Sequence, residues 1–327
     1  MRSNKLVVTG AGHVGSQVLT EALHMGLFGE IAVIDTNESV AVGEALDSLQ
    51  ATGAPHMAAI DVHSGGVEDY RDADVVICAA GPSIIPDPDD PTGRPDRSLV
   101  TTVNSKVIRQ VMGDIASQTS QAIVILITNP LDTMVYIAEN EFGYPPDRVF
   151  GTGTMLDSTR LCQIIAAHCL VAPSSVQGYM MGEHGLTAFP VLSRLTVGGY
   201  RFDELPKVFP ISPQLTPDDI REEVVQAAYD VFNSKGWTNA GIAQSAVSLA
   251  RTVMLDEHAI HPVCSTLRGE YGHVDDVALS MPCIIGRSGI ERRLPVELDA
   301  WESGHLDATI AQIKATMGEA GTPARRQ

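Results

Sequence analysis

The first thirty-five residues constrain this chain more than any other stretch. Lys5-Leu6-Val7-Val8-Thr9 is short, apolar and β-branched, which predicts a buried strand. Gly10-Ala11-Gly12-His13-Val14-Gly15 follows, and Ser16 to Met25 then reads as a helix with Val18, Leu19, Ala22 and Leu23 on one face. Ile31 to Ile34 is a second strand and ends at Asp35. Strand, glycine loop, helix and strand in this order make a βαβ unit. Glycines at 10, 12 and 15 permit a tight turn and let a pyrophosphate approach the helix N-terminus. Gly10, Gly12 and Gly15 are therefore expected to bind a dinucleotide; the plainer reading is a tight strand-to-helix turn. Asp35 stands twenty residues beyond the last glycine. A carboxylate there accepts a hydrogen bond from a ribose 2′-hydroxyl and repels a 2′-phosphate, which favours NAD over NADP.

The alternation continues. A helix is expected over Glu38 to Leu49, a strand near Ala59 to Val62, and a buried strand from Asp74 to Gly81. Gly81 falls at that strand's C-terminal end, where ligands of open parallel sheets lie, so it joins the expected cofactor residues. A helix resumes at Ser98, and Gln121 to Ile127 is the next strand, closed by Thr128-Asn129-Pro130. Asn129 is either a cofactor or substrate contact or a turn residue before proline. Pro82 to Asp96 has five prolines, the acids Asp87, Asp89 and Asp90 among its polar residues, and no apolar period, and reads as a functional lid or an insert. After Arg148 to Gly151 the pattern changes to long helices (Met155 to His168, Ile220 to Ser234, Ala240 to Leu255, Leu306 to Met317). Strands are expected around Pro262-Val263-Cys264, Val277-Ala278-Leu279 and Ile284-Ile285-Gly286. The fold class is α/β. Residues 1–151 form a doubly wound, Rossmann-type dinucleotide domain with a lid at 82–97, and residues 152–327 an α+β substrate domain.

The formal charge of −18 argues against nucleic acid and against an anionic membrane surface. No signal-like segment precedes the first strand and no apolar run reaches about 18 residues, so a soluble, cytoplasmic protein is expected. Cys78, Cys162, Cys169, Cys264 and Cys283 form no metal-ligand spacing and read as free thiols, with no metal site expected.

The chemistry gathers in two short stretches. Gly182-Glu183-His184-Gly185 holds a histidine between glycines at the end of an apolar segment, and an imidazole suits proton transfer near neutral pH. Asp157 and Arg160 lie three apart at a helix start and share a face. They are either a surface ion pair or two separate tools. In the second case Asp157 polarises an imidazole and Arg160 takes a substrate carboxylate through two parallel hydrogen bonds.

Gly10-x-Gly12-x-x-Gly15, Asp35, Thr128-Asn129-Pro130, Leu156-Asp157-Ser158-Thr159-Arg160, Gly182-Glu183-His184-Gly185 and Lys235-Gly236-Trp237-Thr238 resemble, in order and spacing, the L-lactate/malate dehydrogenase family over residues 5–318. Asp90-Pro91-Thr92-Gly93, Gly151-Thr152-Gly153-Thr154 and Ile284-Ile285-Gly286-Arg287 are most similar to its L-2-hydroxyisocaproate and L-lactate branch. The resemblance implies an NAD-dependent enzyme that interconverts a small 2-oxo acid and an L-2-hydroxy acid. His184 would be the acid/base and Asp157 its partner, and Arg160 would anchor the substrate carboxylate. Asn129 would touch substrate and cofactor, and Thr238 would line the pocket. Arg97, seven residues before Asn104, would polarise the carbonyl from the lid, with Arg94 as its rival. A homodimer or homotetramer is implied as well.

Asp90 stands where malate enzymes of the family place a cation, with Asp87 and Asp89 nearby, so pyruvate or larger apolar 2-oxo acids fit better than oxaloacetate. Malate dehydrogenase is the runner-up, and an NADH-sensing regulator the non-enzyme alternative. The basic pair that the resemblance ties to fructose 1,6-bisphosphate activation is Cys162 and Gln177 here, which implies no such activation. Leu186-Thr187 replaces the Asp-Ser found after the second glycine in many lactate enzymes.

Overall fold

The computed structural model describes residues 4–83 and 97–322, without the side chains of 97–99. Residues 84–96 of the expected lid, Arg94 among them, and the Arg97 side chain lie outside the described residues.

The first half runs β1 (Lys5–Thr9), α1 (His13–Met25), β2 (Glu30–Ile34), α2 (Glu38–Ala51), β3 (Asp61–Ser64), β4 (Val75–Cys78), α3 (Arg97–Gln118), β5 (Ile123–Leu126), α4 (Leu131–Asn140) and β6 (Val149–Gly151). Its strands pair in parallel in the order β3-β2-β1-β4-β5-β6. This is the doubly wound arrangement that the loop pattern predicts, with the strand order reversing beside β1. Leu6, Val7 and Val8, Val75 to Cys78 and Val124 to Leu126 are fully buried, as continuous apolar strands covered on both faces must be.

The second half adds α5 (Met155–Cys169), the short strands β7 (Val176–Gln177), β8 (Met180–Met181), β9 (Phe189–Pro190), β10 (Thr196–Val197) and β11 (Tyr200–Arg201), then α6 (Leu205–Val208), α7 (Pro217–Lys235), α8 (Ala240–Leu255), β12 (Ala259–Arg268), β13 (Val274–Gly286), β14 (Gly289–Arg293) and α9 (Ala300–Glu319). β12, β13 and β14 pair antiparallel and continue the parallel sheet through a Cys264–Gly151 rung, giving nine strands among the described residues.

Several boundaries differ from the sequence expectation. α1 begins at His13, so its N-terminal turn emerges directly from the glycine loop. β3 starts at Asp61 and not Ala59. The two strands expected at 277–279 and 284–286 are one strand, β13. Pro282 reads as a strand breaker, but it sits opposite Pro262, so two missing N–H donors share one rung. α7 and α9 start earlier than their apolar faces suggest. Thr216 with Asp219, and Asp299 with Glu302, form reciprocal caps that begin each helix on polar residues. All five cysteines are free thiols, four of them buried. Among the described residues no helix is long and apolar enough to cross a membrane.

Candidate active site

Gly182-Glu183-His184-Gly185 bends between β8 and β9. Gly182 has φ +92°, a conformation that L side chains rarely adopt, and a Cβ there would press on Thr309 Oγ1 at 2.9 Å. Four elements pin the turn. From β13, Ser280 exchanges main-chain hydrogen bonds of 3.0 and 2.9 Å with Gly182. From α9, the Thr309 hydroxyl accepts the Glu183 N–H at 2.9 Å. From α7, Arg221 donates to the carbonyls of Leu186 (2.6 Å) and Ala188 (3.2 Å). From α4, Asp132 Oδ2 accepts the His184 N–H at 2.8 Å. Glu183 folds back on its own turn, where Oε2 accepts from the Thr187 hydroxyl at 2.6 Å and the Thr187 N–H at 3.2 Å. A Cβ on Gly185 would run into that carboxylate. Glu183 is thus a buried brace, and Thr187 completes it.

α5 supplies the imidazole's partner. Thr154 Oγ1 donates to the Met180 carbonyl at 2.6 Å, and the Met180 N–H donates to Ser158 Oγ at 2.9 Å. These two bonds fix the first turn of α5 against β8, four residues before His184. Asp157, between them, accepts from His184 Nδ1 through Oδ2 at 2.7 Å and from Arg160 Nη1 through Oδ1 at 2.7 Å. The two sequence readings of Asp157 and Arg160 therefore combine, since they are an ion pair and Asp157 also holds the imidazole. With Nδ1 bound to Asp157, Nε2 is the ring atom left to exchange a proton.

Burial opposes charge on His184, but Asp157, by charge and hydrogen bond, and then Asp132 outweigh it and raise the imidazole pKa above its ordinary value. Burial also works against ionised Asp157, yet His184 and Arg160 hold its pKa below the usual carboxylate value. The Arg160 side chain is 14% exposed, and its described bond uses Nη1 alone, which leaves guanidinium donors for an incoming carboxylate. The group can hold an acid by Arg160 and pass a proton at His184 Nε2.

The dinucleotide loop is built from backbone. Gly10 has φ +93° and donates its N–H to the Ile34 carbonyl at 2.7 Å. A Cβ on Gly15 would collide with the Gly10 carbonyl, so only glycine lets α1 sit on the loop. A Cβ on Gly12 would meet nothing within 4 Å, which leaves the loop surface open where a pyrophosphate would lie. Asp35 accepts the Ala11 N–H through Oδ2 and the Asn37 N–H through Oδ1, both at 2.8 Å, so it braces the loop. A carboxylate oxygen accepts more than one bond, so capacity for a ribose hydroxyl remains. These features fit NAD.

Gly81, at the end of β4, has φ +103° and lies against the Asn104 amide. Asn104 donates to the carbonyls of Pro82 (2.9 Å) and Asn129 (2.6 Å), which ties the ends of β4 and β5 together, and it leaves the Asn129 side chain exposed. Thr238 is half-buried in the α7–α8 connection. Its neighbour Trp237 stacks on His13 of the glycine loop, with ring centroids 4.0 Å apart and planes 6° apart. Asn239 donates to Gln17 at 3.4 Å, and Gly241 abuts Leu156 of α5. The connection and the first turn of α8 thus reach the dinucleotide loop with α1 on one side and the start of α5 on the other. Arg97 opens α3.

Sequence reasoning missed Asp132, Thr309, Arg221 and Ser280. Asp132 alone had a nearby signal, three residues after Asn129. Among the described residues, two other acid–histidine groups have ligand-like spacing. In Glu30–His63–Asp69 the Lys5 ammonium already pairs with both acids, and Asp256–His258–Glu291 is exposed.

The chain matches two family descriptions, "lactate/malate dehydrogenase, NAD binding domain" over residues 4–151 and "lactate/malate dehydrogenase, alpha/beta C-terminal domain" over residues 154–322. It is 39% identical over 312 residues to L-lactate dehydrogenase 2 of Clostridium acetobutylicum, covering 95% of this chain and 96% of that protein. It is also 39% identical over 317 residues to L-lactate dehydrogenase of Selenomonas ruminantium, covering 97% and 98%. The crystal structure of minor L-lactate dehydrogenase from Enterococcus mundtii in a ligands-bound form superposes with a TM-score of 0.89 at 30% identity, covering 97% of this chain and 98% of that one.

Proposed function

The chain belongs to the lactate/malate dehydrogenase family, and from that premise we propose that it is an NAD-dependent L-2-hydroxyacid dehydrogenase, reversibly converting pyruvate or larger apolar 2-oxo acids such as 2-oxoisocaproate to their L-2-hydroxy acids. One observation carries the reading: Asp157 bridges His184 and Arg160 through its two oxygens. That couples the group that moves a proton to the group that holds an acid.

Arg160 orients the substrate carboxylate in a two-point contact, which sets carbon 2 at a fixed distance from the imidazole. His184 Nε2 gives its proton to the keto oxygen in reduction and takes it back in oxidation. Asp157 stabilises the protonated ring and fixes its tautomer, so the proton is offered from Nε2 only. NAD, held by Gly10, Gly12, Gly15, Asp35 and Gly81, supplies the hydride chemistry when bound. Asn129 and Thr238 border the reacting centre, and Arg97 polarises the carbonyl. We also read the chain as a homodimer or homotetramer, because α2 turns Val42, Leu46 and Leu49 outward along one face.

The test is a panel of steady-state rates with NADH and pyruvate, 2-oxoisocaproate or oxaloacetate. The expected result is turnover of the monoacids with oxaloacetate slowest. Fastest turnover of oxaloacetate would make the chain a malate dehydrogenase. NADH binding without oxidation by any 2-oxo acid would make it a sensor.

A further inference from the structure

His13 stands at one of the free positions of the glycine motif, so its side chain is this chain's own choice. It is the first residue of α1, whose opening turn carries no acid and no side-chain cap. Helical side chains lean toward the N-terminus, so this one reaches past the helix end, over the loop. There the α7–α8 connection meets it. The Trp237 indole stacks flat on the imidazole, with 4.0 Å between centroids and 6° between planes. The Lys235 ammonium lies over the indole, 5.7 Å from the ring centroid, and donates to Asn239 Oδ1 at 2.7 Å. Asn239 in turn donates to Gln17, one turn along α1 from His13, at 3.4 Å. Flat stacking occupies a ring face and leaves the in-plane nitrogens clear. Neither nitrogen of His13 has a hydrogen-bond partner among the described residues.

We propose that His13 is a cofactor-binding residue, donating a hydrogen bond from its ring edge to the diphosphate of NAD, and that Trp237 positions the ring for it. This adds a side-chain contact to a loop that otherwise works through its backbone, and it rests on the reading of that loop as an NAD site.

Apolar packing does not account for the pair. His13 is exposed and Trp237 is 37% exposed, so the stack removes little surface from water. What it fixes is the orientation of a donor. An imidazole offers an N–H in either protonation state, and phosphate oxygens are strong acceptors. The unpaired N–H groups of the first turn already favour an anion at this end of α1. A side chain held in place beforehand loses less freedom on binding, so the preset ring adds affinity that a free one would not.

The test measures dissociation constants of the full chain, for NADH by fluorescence titration and for ADP-ribose and adenosine by competition against it. ADP-ribose keeps the diphosphate and lacks the nicotinamide, and adenosine lacks both. His13→Phe keeps a flat ring for Trp237 and removes the nitrogens. It should weaken NADH and ADP-ribose by about tenfold each and adenosine by less than about twofold. Unchanged NADH affinity in His13→Phe would leave only ring packing and overturn the inference. Equal weakening of all three ligands would mark a distorted loop and overturn it too. Trp237→Ala should weaken NADH and ADP-ribose by about threefold, with Trp237→Phe restoring them, and full affinity in Trp237→Ala would refute its positioning role. Should His13→Phe not fold, the wild-type imidazole decides. Its NMR resonances should shift with ADP-ribose and stay with adenosine, and a ring that ignores ADP-ribose refutes the contact. Wild type that binds neither NADH nor ADP-ribose would overturn the NAD reading itself, whereas wild-type binding that persists in His13→Phe overturns the role of His13 alone.

Discussion

The dinucleotide loop and the histidine turn are both framed by glycines, yet they are assembled in opposite ways. In the loop, the contacts are main-chain, and its carboxylate brace, Asp35, lies 24 residues from the Ala11 N–H it holds. In the turn, the chemistry is carried by side chains drawn from distant elements. Asp157 is 27 residues from His184, Asp132 is 52, and Thr309 is 126 from Glu183. A site made of consecutive backbone is set by local conformation. A site made of converging side chains is set by the packing of the whole domain, and in exchange its proton affinity can be tuned by charge.

If the two regions are separable, His184→Ala should cut kcat by about a thousandfold or more while NADH affinity, read by fluorescence titration, stays within about twofold. A parallel loss of NADH affinity would break the separation. Arg160→Ala should raise the pyruvate KM by about a hundredfold, and because Arg160 also braces Asp157, kcat should fall by a smaller factor. An unchanged KM would remove Arg160 from substrate binding. Asp157→Asn tests the tuning. On the proposed mechanism reduction needs protonated His184, whose pKa is raised, so activity should persist through neutral pH and fall on the alkaline side, while oxidation should rise along the same limb. Losing the Asp157 charge should bring that limb down by about one unit, a loss of about tenfold above it. A stationary limb would mean that Asp157 does not set the proton affinity.

Smaller effects belong to the loop. Asp35→Ser should shift the NADP-to-NAD preference by about tenfold, read as the ratio of kcat/KM values. Since Asp35 also holds Ala11, lower affinity for both cofactors with an unchanged ratio would assign it to loop bracing alone. Fructose 1,6-bisphosphate should leave the pyruvate KM where it was. Cys162 turns its thiol toward the Val176 and Gly178 carbonyls and Gln177 is uncharged, so a large drop in KM would reveal an anion site built from other residues.

The same contrast explains what could be read from the sequence. Strand period, glycine spacing and the position of Asp35 report on neighbours in the chain, and β1, α1 and β2 lie where those signals point. Asp157, Arg160 and His184 were legible as residue types, and the structure brings them together. Their supports were not. Arg221 looks like any surface arginine of an amphipathic helix, and Thr309 like a polar residue of the last helix, until folding places them under the turn. Two short apolar runs, at 277–279 and 284–286, are one strand, and only the register shows Pro282 between them facing Pro262.

The seam between the halves has a consequence for modularity. The family descriptions meet between residues 151 and 154, where β6 pairs with β12 and Gly153 leaves no room for a Cβ beside Cys264 and Pro262. Expressed apart, the two pieces would each bare a strand edge that the intact chain covers, and bare edges recruit other chains. A chimera that exchanges one half with a relative must therefore inherit a matching glycine and a matching strand at that rung. What reads along the chain as a boundary between two parts is, in the folded molecule, a shared beam.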